Sequence, residues 1–180
     1  MQENVTFNWL PHAHKAKIIV DAETTLNPTD ISSSFIFAFK GKEVLLAQVY
    51  SRGWDIPGGH REHAETPEET VSRELFEECG THTDLMGPLG HIEIHLEGDT
   101  APNNYPYPFP ISYLMFYWGI VSEIGTPSSS MEVGEPRFFS IHEALKLDCI
   151  KDKKILFNEA LKRAQIVAEK LNLLQNNTSN

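Results

Sequence analysis

An α/β fold on a mixed sheet is predicted from three observations. Runs of aromatic and β-branched residues lead the chain, a helix with both ends specified interrupts them, and a long stretch of helically spaced apolar residues follows. Taken in order, residues 17–20 form a short strand candidate within a mixed N-terminal extension, 1–30, that carries nothing diagnostic. Residues 26–30 read as a turn. Residues 34–39 and 43–50 are β-like and joined at Lys40-Gly41-Lys42, a hairpin signal. Residues 54–56 are a further extended piece, broken by Pro57-Gly58-Gly59. Residues 66–79 read as a helix: Thr66 suits the N-cap, Pro67 the first helical position, Glu69 completes a capping box and Gly80 ends the helix in a left-handed conformation. Residues 91–96 and 111–121 are strand candidates, 137–139 a short strand, and 141–147 a short helix begun at Ser140.

In residues 152–174, Ile155, Leu156, Leu161, Ala164, Val167, Ala168 and Leu171 recur at helical spacing, which predicts a face packed on the core. Residues 175–180 are polar and expected to fray. No internal repeat and no second boundary is visible, so 1–180 is expected to form one domain.

The 180 residues suffice to bury a hydrophobic core, and the composition (41% hydrophobic, 22% charged) is that of a globular protein. A formal charge of −10 argues against an extended nucleic-acid-binding surface. A small anionic substrate is still allowed, because bound metal cations reverse the local field. Cys79 and Cys149 make no disulfide framework, no signal segment begins the chain, and no apolar run reaches the length of a membrane span. A soluble cytoplasmic protein with no membrane partner is expected.

On the helix at 66–79, Glu74, Glu77 and Glu78 stand at i, i+3 and i+4 and share one face. Val71, Leu75 and Cys79 form a neighbouring apolar stripe able to anchor that helix on a sheet. Three clustered carboxylates repel, and a hard divalent cation would relieve the repulsion through oxygen ligands. On spacing alone, a solvated face and a metal site are equally good readings.

From Gly59 the chain reads G-x5-E-x7-R-E-U-x-E-E-x-G, with U a bulky apolar residue and Gly59, Glu65, Arg73, Glu74, Leu75, Glu77, Glu78 and Gly80 at the fixed places. This resembles the Nudix box (residues 59–81), the signature of the MutT-like Nudix hydrolase family. Thr81 departs from the aliphatic residue usual there, at a packing position. The fixed letters would coincide by chance on the order of once in a billion starts. The resemblance spans roughly residues 34–170 and implies an α/β/α sandwich with a mixed central sheet.

By that resemblance, Glu74, Glu77 and Glu78 are metal ligands for Mg²⁺ or Mn²⁺, joined by the Gly59 carbonyl. Arg73 orients the carboxylates, and Glu65 stands behind them. Glu132, with Glu135 behind it, is the candidate general base, so the catalytic set is Arg73, Glu77, Glu78 and Glu132. The implied activity is hydrolysis of a phosphoanhydride in a small nucleoside diphosphate-linked substrate. A housecleaning nucleoside triphosphate pyrophosphohydrolase acting on oxidised purines comes first. An ADP-ribose or dinucleotide pyrophosphatase, an RNA 5′-end pyrophosphohydrolase and a non-catalytic nucleotide sensor are the alternatives. A homodimer is carried only by analogy with such folds.

Other features read less sharply. His60 and His63 fit loop surface better than magnesium ligation, and His12 and His14 lack a third ligand nearby. Cys79 reads as a packed thiol. Arg52 and Trp54 precede the box and are candidates for the pocket mouth. In the proline-rich segment 103–110, Tyr105, Tyr107 and Phe109 are able to stack on a base, cap the core or form a dimer contact; Tyr105 and Phe109 are the substrate-binding candidates.

Overall fold

Alternation along three strands sorts the core into two layers. The computed structural model describes residues 1–121, 124–128 and 133–177, with side chains to residue 170. In β3 (Ile31–Lys40), Phe37 and Phe39 enter one apolar cluster and Ile36 and Ala38 the other. β4 (Glu43–Val49) divides Val44 and Leu46 from Leu45 and Ala47 in the same way. β8 (Ile111–Ile120) divides Phe116 and Trp118 from Met115 and Tyr117. Successive side chains point to opposite faces, so a sheet apolar at every position must be covered on both sides.

Two helices do the covering. α1 (Pro67–Cys79) lays Val71, Leu75 and Cys79 on one face, and α4 (Lys154–Asn177) lays Leu156, Phe157, Ala160 and Ala164 on the other. The result is an α/β/α sandwich. The α1 ends are those expected: Thr66 accepts from the Glu69 N–H, Glu69 from the Thr66 N–H, and Gly80 sits at φ 63°. Thr66→Ala is expected to cost about 1 kcal/mol, read as a small fall in melting temperature with turnover unchanged.

The sheet order is β1-β2-β7-β8-β3-β4-β5, with β1 Gln2–Val5, β2 His14–Ile19, β5 Gly53–Asp55 and β7 Leu85–Leu96. β6 (Gly58–His60) pairs with β3, and β9 (Arg137–Ser140) with β4. The β3–β8 pair is parallel and the other ladders are antiparallel, which makes the sheet mixed.

Several boundaries differ from expectation. The extension at 1–30 contributes β1 and β2, and β2 pairs with β7 along its length. β7 begins six residues before His91, because a bulge between Pro88 and Gly90 carries the strand past residues that read as breakers. Gly58 and Gly59 belong to a strand rather than a turn. The helix expected at 141–147 stops at Ala144 as α2 (Ile141–Ala144), and a separate turn of helix, α3 (Asp148–Lys151), follows. Helical backbone continues to Asn177, into the stretch 175–180 expected to fray. Among the described residues no helix is long and apolar enough to cross a membrane.

Candidate active site

β6 and α1 meet at the box, and each holds the other's polar groups. The Gly58 N–H donates to Glu78 Oε2 at 3.0 Å, which fixes this carboxylate against the strand. Gly58 adopts φ 145°, a region that favours glycine, and Gly59 lies directly against the Glu74 carboxylate. A Cβ at Gly59 would collide with that carboxylate. Gly59→Ala is therefore expected to displace Glu74 and cut turnover by about tenfold or more, checked by steady-state kinetics on protein with an unchanged circular dichroism spectrum.

Arg73 is the hub of the carboxylates. Its Nε and Nη2 donate to the two oxygens of Glu65 at 2.7 and 3.2 Å. Its Nη1 donates to Glu74 at 3.0 Å and to Glu77 at 3.1 Å, and Nη2 also reaches the His60 carbonyl at 3.0 Å. Glu65 accepts further bonds from the Glu62 N–H and the Thr70 hydroxyl. The Arg73 hydrogen bond is the main reason that Glu65 is held down to about 2. The Arg73 guanidinium is pushed up in turn, chiefly by Glu65.

The three box glutamates are not equivalent. Glu78 is 9% exposed, and burial pushes its carboxyl up to about 7 even though the Gly58 N–H pulls the other way. Glu74 is also raised, mainly by burial, with Arg73 opposing. Glu77 is more open, with 38% of its side chain exposed, and turns toward Arg73. Among the described residues no three His, Cys, Asp or Glu side chains converge as a ready-made metal cluster. The hydrogen bonds give the reason, because Arg73 takes Glu74 and Glu77 while β6 takes Glu78.

The donor chemistry still suits a hard cation. Glu74 and Glu78 are hard oxygen donors facing one cavity, and burial, which raises both carboxyls, disfavours leaving them charged without a cation beside them.

That cavity has a volume of about 950 Å³. Gly59, Arg73, Glu74 and Glu78 line it, as do Arg52 and Trp54. Arg52 is paired with Asp55 at 2.7 Å, and Trp54 packs edge-on against Phe139 and near Arg137. Glu77 is not among the lining residues. Neither are Tyr105 and Phe109, which pack partly buried against the core, with Tyr105 in edge contact with His12 and Tyr107. Tyr107 instead points its hydroxyl at His60 Nε2, 2.8 Å away, and His60 Nδ1 lies 2.8 Å from Ser33 Oγ. His60 thereby links the proline-rich segment to β3, and its carbonyl to Arg73. His63 is exposed.

Glu132 lies outside the described residues. Nearby Val133 forms a bridge with Val49 and lines the cavity, while Glu135 is exposed. His14 is occupied structurally: Nε2 accepts from the Phe7 N–H at 3.2 Å and Nδ1 donates to the His12 carbonyl at 2.7 Å. The Cys79 thiol is buried and raised by burial, and Cys149, half-buried beside the cavity, is pushed up to about 12.

The sequence reading missed Phe7 and Trp9, and the Asp148, Cys149, Asp152 and Lys153 group, all of which line the cavity. The available signal was the aromatic pair Phe7 and Trp9 in the N-terminal stretch.

Comparison with known proteins identifies the family and the fold. A family model described as the NUDIX domain matches residues 29–158. No curated protein matches the chain. Among solved structures, the chain is similar to a pyrophosphohydrolase of Bacillus subtilis, with 16% identity and a TM-score of 0.67 over 90% of this chain and 97% of that one. It is similar to a Nudix-family hydrolase of Clostridium perfringens, with 22% identity and a TM-score of 0.55 over 77% and 99%. It also resembles the Nudix domain of Shewanella oneidensis NrtR, solved with ADP ribose, at 20% identity and a TM-score of 0.52 over 75% and 88%. At these identities the likeness is one of fold. With the family model covering more than half of its length and the box intact on α1 and β6, the chain belongs to the Nudix hydrolase family.

Proposed function

We propose that this protein is a nucleoside triphosphate pyrophosphohydrolase of the housecleaning type, using Mg²⁺ or Mn²⁺ held by Glu74 and Glu78, with Glu77 and the Gly59 carbonyl completing the set. The observation that carries the reading is buried Glu78 beside half-buried Glu74, both facing one cavity that the aromatic rings of Phe7, Trp9, Phe35 and Trp54 also line. A divalent ion bound there supplies neutralisation of the diphosphate, polarisation of the P–O bond and a lower pKa for the attacking water.

The chain's own residues do the rest. Arg73 keeps Glu74 and Glu77 in fixed orientations through its planar fork. Gly59 leaves room for close approach. Arg52, Arg61 and Lys153 line the cavity among Asp55, Glu62, Asp148 and Asp152, with Arg52 paired to Asp55, so the divalent ion would supply most of the positive charge that an incoming polyphosphate meets. Glu132 is kept as the candidate base on sequence grounds.

The test is product analysis after incubation of the protein with Mg²⁺ or Mn²⁺ and a panel of oxidised and ordinary nucleoside triphosphates, ADP-ribose, dinucleoside polyphosphates and triphosphate-ended RNA. ADP-ribose belongs in the panel because the Shewanella domain was solved with it. Release of pyrophosphate and a nucleoside monophosphate from a triphosphate is expected. Cleavage confined to ADP-ribose, a dinucleotide or RNA, or nucleotide binding without turnover, would replace the triphosphate reading.

A further inference from the structure

The matched family span begins at residue 29, yet part of the cavity wall is built by residues 7 and 9. The turn that carries them is anchored on both sides. The Leu10 N–H donates to the Phe7 carbonyl at 3.3 Å, and His14 accepts from the Phe7 N–H while its ring lies parallel to the Phe7 ring at 6.3 Å. Phe7 is 4% exposed and belongs to the core. Trp9 leans on it, ring centroids 5.2 Å apart, but keeps 60% of its surface exposed. A large apolar ring on an anchored turn, packed on one side and open toward a cavity, is a surface made ready for a second ring.

The cavity that this ring borders is laid out by the sheet register. Ile92 of β7 pairs with Leu114 of β8, Leu114 with Ser33 of β3, and Ser33 with His60 of β6. All four line the cavity, so its floor is one row running across four strands. That row spans three inter-strand spacings, about 14 Å. Glu74, Glu78 and Arg73 stand at the β6 end. The turn with Phe7 and Trp9 joins β1 to β2, and β2 is the strand beyond β7, so Trp9 borders the cavity from the β2 side, away from β6.

A nucleoside triphosphate has the same polarity, with a polyphosphate at one end and a planar, weakly polar ring system at the other. The phosphates belong with the cation-binding carboxylates, which leaves the base at the aromatic end. We propose that Trp9 is the stacking platform for the substrate base and selects purine-sized rings, because the larger ring covers more of the indole. This assignment rests on the nucleotide reading above.

The experiment is calorimetric titration, with Mg²⁺ present, of the full chain with a deoxyguanosine triphosphate analogue carrying an α,β-methylene bridge, beside inorganic tripolyphosphate, which has no base. Trp9→Ala is expected to weaken the nucleotide analogue roughly tenfold or more, to leave tripolyphosphate unchanged, and to be largely rescued by Trp9→Phe. The indole is mostly exposed, so neither variant opens the core. Unchanged nucleotide affinity in Trp9→Ala, or an equal loss for tripolyphosphate, overturns the role of Trp9 while leaving the nucleotide reading intact. Wild-type protein that binds tripolyphosphate but not the nucleotide overturns the nucleotide reading, and the platform with it.

Discussion

Glu78→Gln is expected to stop metal-dependent turnover and, without metal, to stabilise the fold above neutral pH. The two effects share one cause. Glu78 is buried, and its carboxyl is pushed up to about 7 against an ordinary 4.5. The folded protein therefore holds this proton more tightly than the unfolded chain does. The stability it contributes is fully present below pH 4.5 and is lost as the pH rises through 7, when a charge must form inside the fold. The loss is on the order of 3 kcal/mol. Glutamine keeps an oxygen for the Gly58 N–H but never ionises. In chelator, the variant and the wild type should melt together at pH 4, and the variant several degrees higher at pH 8. Turnover should fall roughly a thousandfold. Equal melting at both pH values would mean that burial of Glu78 carries no charge penalty.

Arg73→Met is expected to reduce both stability and turnover. The guanidinium bonds Glu65, Glu74, Glu77 and the His60 carbonyl, and 21% of its side chain is exposed. Removing it leaves three neighbouring carboxylates without their shared cation, at a cost of about 3 kcal/mol. That corresponds to a fall in melting temperature of about 5–10 °C. Glu65, held at about 2 by Arg73, contributes stability that is present above pH 4.5 and lost as the pH falls through 2. The penalty of the substitution should therefore be full at pH 7 and shrink toward pH 3. Arg73→Lys should recover part of the stability and little of the turnover, because a point charge cannot fork to Glu65 and Glu74 together. Thermal melts at the two pH values, with kcat and KM at pH 7, decide it.

Local rules specify α1 from both ends, which is why its cap, its Gly80 stop and its apolar stripe were legible in the sequence. The same holds for the β3–β4 hairpin, where Gly41 sits at φ 60°. Long-range pairing was less visible. β2 contributes only Ala16 and Ile18 as buried apolar residues, too short an alternation to stand out. In β7, Gly87, Pro88 and Gly90 look like breakers, and only the bulge and the close approach of Ile19 to Gly90 reconcile them with a strand.

At the site, helical spacing put Glu74, Glu77 and Glu78 on one face but gave no information on depth. Depth separates buried Glu78 from Glu77, which is drawn to Arg73. Aromatic content drew attention to Tyr105 and Phe109 and not to Trp9, which lines the cavity from the turn that leads into β2.

The most direct measurement is Mn²⁺ binding to the full chain, followed by electron paramagnetic resonance or calorimetry between pH 5.5 and 8.5. If Glu74 and Glu78 take the cation, binding must displace the Glu78 proton. Affinity should then weaken about tenfold per pH unit below 7, level off above it, and be largely lost in Glu78→Gln. Mn²⁺ affinity unchanged in Glu78→Gln would contradict the assignment of these carboxylates as the cation site, whereas affinity that is flat with pH but lost in Glu78→Gln would mean only that Glu78 is already ionised across this range.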